Sequence, residues 1–342
     1  HGTFSSILGS FGAWLSNPRE QERLWQRYRR IYALEHRTLE ETPIANAIAV
    51  LDRLDKDSSV DLVGYSRGGL IGELLAQRAL DDKEIRAVIE QLKRDDVEHD
   101  QLGLRDLIVS QYQEFHSKLR SKKIHVRRFV RVGCPARGTR LASRERLRNV
   151  LALVRYGAAG LQKLLSGVPS PVLQSVTQGL SALTDLTQGV VLDVINPHVL
   201  PGLYSMDPRR HFIRHLINHE KLGSDAELAN VGANTLRSGL NLGKVADFVI
   251  DLYFNRANDW VVDTESMIGG AQRANVVEHL VGSERMHTQY FADPAFAQTI
   301  TDGLVTPKFA DLTRSRYRTG RVEISELREV RAGGNTLGPV LI

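Results

Sequence analysis

Short apolar runs ending at glycine or polar turns recur along this chain, separated by longer stretches in which apolar residues return every three or four positions. Strands alternating with helices in this way predict an α/β protein whose mostly parallel sheet is flanked by helices. Leu15, Leu24, Trp25 and Tyr28 predict a helix between Phe11 and Arg30, broken near Asn17-Pro18, and RIYALE from Arg30 to Glu35 reads as a strand. Thr42-Pro43 opens a helix through Leu54 with Ile44, Ala47, Ile48, Leu51 and Leu54 on its apolar face. Val60 to Val63 is a buried strand that breaks at Gly64-Tyr65-Ser66-Arg67-Gly68 into the helical stripe Leu70, Leu74, Leu75 and Ala79. Further helices are expected at Asp82 to Arg94, Leu104 to Lys122 and from Pro294 through Ile300. Strands are expected at His125 to Gly133, Lys244 to Phe254 and Asn275 to Val281.

The pattern changes in the middle. Leu147, Leu151, Val154, Ala158, Leu161 and Leu165 form one helical stripe, and Val172, Val176, Leu180, Leu183, Val190 and Val194 another. Between Leu164 and Met206 the only charged residues are Asp185 and Asp193. Two readings stand side by side: a cap above the carboxyl ends of the strands, or a second helical layer packed on the domain or on a neighbour. Pro208 to His219 follows as a helix with His211, His215 and His219 four apart; Phe212, Ile213, Leu216 and Ile217 face its core side. Histidines at this spacing can ligate zinc, but no Glu follows the first, so the row reads as the rim of a structural helix and no metal is expected. The chain thus divides into a first core part, 1–140, a helical insertion, 141–243, a second core part, 244–304, and an extension or linker, 305–342.

Composition narrows the class. With 342 residues, 42% of them hydrophobic and 25% charged, a sizeable core can be buried. A net charge of +5 is too small to argue for nucleic acid. A single cysteine excludes an internal disulfide framework and suits a reducing, cytoplasmic setting. No apolar run reaches the ~18 residues of a membrane span. Arginines crowd the region Arg127, Arg128, Arg131, Arg137, Arg140, Arg144, Arg146 and Arg148, a set that could hold phosphate head groups. Because Arg127 and Arg131 sit opposite Val126, Val130 and Val132, a solvated strand face is the reading preferred.

Candidate chemistry centres on Gly64 to Gly68. In a G-x-S-x-G turn between strand and helix the serine hydroxyl projects above the sheet, and the glycines avoid collisions with strand and helix. Ser66 is therefore the candidate nucleophile. Cys134, without a paired His or second Cys nearby, reads as a small buried residue rather than a reactive thiol.

Four further stretches carry a resemblance to the lipase-like members of the α/β-hydrolase superfamily: His1-Gly2-Thr3, the G-x-P-x-x-G-T run from Gly133 to Thr139, Asn258-Asp259-Trp260-Val261-Val262, and Met286-His287 with its aromatic follow-up. Trp260 stands where that family usually has Gly. The resemblance implies the α/β-hydrolase fold with a helical cap and with the strand preceding His1 outside the chain, which would then be a piece of a longer protein. It implies Asp259 as acid, ahead of Asp263 and Asp251, and His287 as base, ahead of His279. Backbone N–H groups of Thr3 and Arg67 would form the oxyanion hole, and no cofactor is implied. The chain order Ser66, Asp259, His287 is the one this superfamily uses. IYALEHRTLEETPIANA also resembles a segment of hydrolase-like domains in large bacterial multidomain proteins, so neighbouring domains are expected. His36 within it reads as a packing or hydrogen-bonding residue. The implied activity is cleavage of a carboxylic ester, a small molecule or a lipid such as a phospholipid, with peripheral membrane contact through the cap and no nucleic acid as partner. An acyltransferase or a serine peptidase would use the same residues, and a different class of reading is a non-catalytic hydrolase-fold module of a larger protein that binds a partner.

Overall fold

The computed structural model describes residues 1–3, 5–94, 103–143, 200–233, 259, 261–281, 287, 290–307 and 340–341. Local signals set its helices. Ser6 caps α1 (Ile7–Leu15) by accepting the Gly9 amide, and Asn17 caps α2 (Pro18–Arg27), placing the break where Asn17-Pro18 demands it. After the short strand β1 (Ile31–Tyr32), Thr42 accepts the Ala45 amide to start α3 (Pro43–Arg53). β2 (Ser59–Tyr65) then delivers the turn at Ser66 into α4 (Arg67–Leu75). The chain continues through α5 (Asp82–Arg94), α6 (Leu104–Lys122) and β3 (His125–Val132). β4 (Glu227–Ala233), β5 (Val276–Val281), α7 (Pro294–Val305) and β6 (Val340–Leu341) complete the described elements.

The strands form one sheet in the order β1-β6-β2-β3-β4-β5, and every pairing is parallel. Alternate residues of each strand enter opposite layers. Val60 and Leu62 of β2 and Phe129 of β3 face a core built with α3, α4, α5 and α6; Val63, Tyr65, Val130 and Val132 face one built with α1, α2 and α7. A parallel sheet covered on both faces explains why β2 is buried from Val60 to Tyr65 without polar alternation.

Three expectations need correction. Glu227–Ala233, inside the stretch 141–243 read as a helical insertion, is a central strand between β3 and β5. Its sequence ELANVGA is short and weakly apolar, and only pairing on both sides makes it a strand. Within the stretch 305–342, read as an extension or linker, Val340–Leu341 pairs with Ile31–Tyr32 on one side and Asp61-Leu62 on the other, so part of that stretch is a strand of the sheet. Arg127 and Arg131 do not occupy a solvated face. The register shifts between Val60 and Asp61 opposite Val126 and Arg128, and β3 is covered on both faces. Arg127 pairs with buried Asp61 at 3.0 Å, Arg128 with Glu227 at 3.1 Å, and Arg131, 1% exposed, with Glu73. Those cations are engaged by carboxylates and are not a phosphate cradle.

The expected strand Lys244 to Phe254 and the apolar stripes between 147 and 194 lie outside the described residues. No described helix is long and apolar enough to cross a membrane.

Candidate active site

The site is assembled at the carboxyl ends of the parallel strands, where loops from separate strands meet. Ser66, the residue after β2, has φ 51° and ψ −123°, a left-sided conformation that a non-glycine residue adopts only under constraint from its surroundings. Part of that constraint is visible. The Ser66 amide donates to the Val132 carbonyl at 2.8 Å and its own carbonyl accepts the Gly69 amide at 3.0 Å. The glycines allow the close approach: a β-carbon on Gly64 would lie 2.7 Å from Gly69 Cα, and one on Gly68 would lie 2.9 Å from the His1 amide nitrogen.

That second distance brings in the start of the chain. The Gly68 amide donates to the His1 carbonyl at 3.1 Å, and a β-carbon on Gly2 would stand 3.2 Å from Ser66 Cβ. The His1-Gly2-Thr3 loop therefore packs directly on the serine turn, with Thr3 buried. Arg67 opens α4, where backbone N–H groups have no partner within the helix. Its side chain turns the other way: fully buried, it donates to Asn46 Oδ1 at 2.8 Å and to the Glu41 carbonyl, tying the serine turn to the start of α3. Burial lowers the guanidinium pKa, partly offset by Glu41.

Asp259 and His287 are joined. His287 Nδ1–H donates to Asp259 Oδ2 at 2.6 Å, and the His287 amide donates to the Asp259 carbonyl at 2.8 Å; both side chains are buried, 2% and 0% exposed. Asp259 Oδ1 accepts the amides of Val261 and Val262 at 3.1 and 2.8 Å. Donors on both oxygens fix this carboxylate in direction. With Nδ1 protonated, His287 Nε2 is the basic nitrogen. It is buried and makes no hydrogen bond, so Ser66 Oγ is not bonded to it in this state. The serine turn nevertheless abuts His287: the Tyr65 ring lies 5.0 Å from the imidazole, and its hydroxyl donates to the His287 carbonyl at 2.8 Å. Burial, with Asp259 nearby, pushes the Tyr65 phenol well up, which keeps it a donor.

The loop that carries Asp259 returns to the carboxyl end of β4, where Thr264 donates to the Ala233 carbonyl at 3.3 Å. It is also clamped to α4. Arg131 donates to Glu73 and to the carbonyls of Met267 and Gly269 at 2.9 and 2.8 Å, while Arg273 donates to Glu73 Oε2 at 3.0 Å. Burial opposes the charge on Glu73, but the two guanidiniums outweigh it and hold its pKa low. Sequence reading missed this cluster, since nothing local distinguishes Glu73 or Arg273 from surface residues.

Other candidates fall elsewhere. Asp263 lies 3.6 Å from Arg140, His279 lies within β5, and Asp251 is outside the described residues. His36 stacks on His1 at 4.0 Å, and burial lowers its pKa well below the ordinary imidazole value. In the histidine row, His211 and His215 are 5.7 Å apart and His215 and His219 6.4 Å, on a turn that is π-helical at Phe212–Ile217. His219 Nε2 pairs with Gln91 Oε1 at 2.8 Å and Nδ1 accepts the Lys221 amide at 3.1 Å, so both its nitrogens are engaged. Among the described residues no group of three or more His, Cys, Asp or Glu is arranged to hold a metal ion. Cys134 is fully buried, and burial pushes its thiol far up, away from thiolate reactivity.

A family model described as "Domain of unknown function (DUF7379)" matches residues 1–94 and 103–305. No curated protein matches. Among solved structures, the crystal structure of Bacillus licheniformis lipase BlEst2 in mature form is similar over 84% of this chain and 82% of that one, at 15% identity and a TM-score of 0.28. A likeness that low bears on none of the assignments drawn from the geometry above.

Proposed function

We propose that this chain, which belongs to the family described as a domain of unknown function (DUF7379), is a serine hydrolase acting on a carboxylic ester. One juxtaposition carries the reading. A buried Asp259–His287 pair leaves Nε2 as an unbonded base on the same sheet end as a serine held in a strained strand-to-helix turn.

Ser66 Oγ attacks the ester carbonyl and passes its proton to His287 Nε2, while Asp259 holds the ring tautomer and stabilises the imidazolium. The tetrahedral oxyanion accepts hydrogen bonds from the amides of Arg67 and Thr3. Collapse breaks the C–O bond, and the departing alkoxide takes the proton from Nε2. Water, deprotonated by the same nitrogen, then attacks the acyl-enzyme; the acid leaves and the serine proton is restored.

The apolar stretch between Leu164 and Met206 favours a lipid ester, with contact to a membrane surface through that stretch. Phosphate recognition by Arg127, Arg128 and Arg131 is not part of the proposal, because their partners are carboxylates. The unmade bond between Ser66 and His287 favours one alternative, a non-catalytic interaction module.

Labelling with a fluorophosphonate probe separates the two. Wild type should be labelled, and Ser66→Ala and His287→Ala should not. A folded wild type that resists the probe would sink the hydrolase reading and leave the interaction module.

A further inference from the structure

Asp259 Oδ2 has a second donor that no step above uses. The Tyr290 hydroxyl donates to it at 2.7 Å and accepts the Ala233 amide at 2.8 Å. With the amides of Val261 and Val262 on Oδ1 and His287 on Oδ2, the carboxylate is donated to from four directions. Tyr290 is fully buried, and its ring lies 5.1 Å from Phe296 of α7 and 5.9 Å from the His287 ring. A β-carbon on Gly133, at the end of β3, would come within 2.8 Å of Tyr290 Cε2. The phenol thus connects the last residue of β4, the acid loop and the base.

We propose that Tyr290 is a positioning residue that fixes the Asp259 carboxylate toward His287 and draws off part of its charge. The proposal rests on the hydrolase reading for its consequence in turnover, though not for the hydrogen bond itself. Two effects follow from one proton. Geometrically, the hydroxyl is anchored by the Ala233 amide, so Oδ2 is held relative to the sheet and not merely to its own loop. Electrostatically, a carboxylate that shares its charge with a phenol accepts less strongly from Nδ1–H. Burial and neighbouring Asp259 push the Tyr290 phenol well up, which favours the neutral, donating form. Among the described residues, the titratable groups facing this carboxylate are His287, Tyr290 and, behind the imidazole, Tyr65.

The test combines NMR with kinetics on the intact chain. The downfield His287 Nδ1–H resonance should move further downfield in Tyr290→Phe. It should move upfield when 3,5-difluorotyrosine, a stronger donor of nearly the same shape, replaces Tyr290. The difluorotyrosine arm serves even if the phenylalanine variant folds poorly, and a packing role would not produce opposite shifts. On a p-nitrophenyl ester, Tyr290→Phe should lower kcat by roughly 10- to 100-fold with little change in KM. In an Asp259→Asn background the same change should cost less than about 2-fold, since the phenol acts through the carboxylate. Opposite NMR shifts in a protein without esterase activity would sink the hydrolase reading and keep the positioning role. An unmoved resonance in both variants, or an equal kinetic loss in both backgrounds, would overturn that role.

Discussion

Gly72 sits inside α4, the helix that begins at the serine turn. By helix propensity alone, Gly72→Ala should stabilise the protein by about 1 kcal/mol, because alanine gives up less backbone freedom on folding. The tertiary structure reverses the sign. A β-carbon at position 72 would lie 2.5 Å from both Cε2 and Cζ of Phe129 and 3.3 Å from Cε1. Carbon atoms pack comfortably at about 3.5–4.0 Å, so ring and helix must part by roughly 1 Å. Phe129 is fully buried in the centre of β3 and α4 is buried along its whole length, so neither can yield into solvent. Overpacking of this kind costs about 1–3 kcal/mol, and a displacement this large belongs at the upper end. Subtracting the propensity gain leaves a net loss of about 2 kcal/mol. Urea unfolding followed by tryptophan fluorescence, with wild type and variant run in parallel, reads the difference as a lower midpoint at unchanged slope. The companion variant Phe129→Leu removes the atoms that clash, so Gly72→Ala should cost much less in that background, a coupling of about 1–2 kcal/mol. A Gly72→Ala protein more stable than wild type would refute the argument, and with it the close packing of α4 on β3 on which the serine turn depends.

Two further expectations bear on the site and on pH. In Gly68→Ala the new methyl would meet His1 N at 2.9 Å and His1 O at 3.0 Å, pushing the His1–Thr3 loop away from Ser66. Ester turnover of the folded variant should fall about 100-fold, as when an oxyanion donor is lost; unchanged turnover would remove that loop from the machinery. His116 is fully buried, with Nδ1 accepting the Leu80 amide at 3.4 Å; burial first, then Arg120 and Arg78, lower its pKa to about 3. The unfolded chain binds this proton near pH 6.5 and the native protein does not until about pH 3. Stability is therefore lost as pH falls from 6.5 towards 3, by up to about 1.4 kcal/mol per pH unit from this residue. Urea midpoints at pH 7 and pH 5 should differ less in His116→Gln than in wild type, and an equal drop would show that the histidine is not held neutral.

Much of this architecture is local in origin. Thr42-Pro43, Asn17-Pro18 and Asp293-Pro294 start helices where they stand, because a capping side chain and a fixed φ act within one turn. The Gly64–Gly68 spacing places a serine turn between strand and helix for the same reason. Asp259 and His287 were legible only through their order and their neighbouring residues; that they meet at 2.6 Å is a tertiary fact. Tyr290 lies three positions after His287, within the aromatic stretch that carried the resemblance, but its role depends on Ala233 and Asp259, far away along the chain.

By itself the sequence determined the helix starts, the alternation of strands and helices, and the identity of a strained serine turn, all consequences of interactions within a few residues. Only the tertiary structure decided that ELANVGA is a central strand, that Val340–Leu341 enters the sheet beside β2, and that Arg131 is buried against Glu73. Strand pairing and the burial of charge are settled by partners distant in the chain, and no local pattern encodes which partner a polar or weakly apolar segment will find.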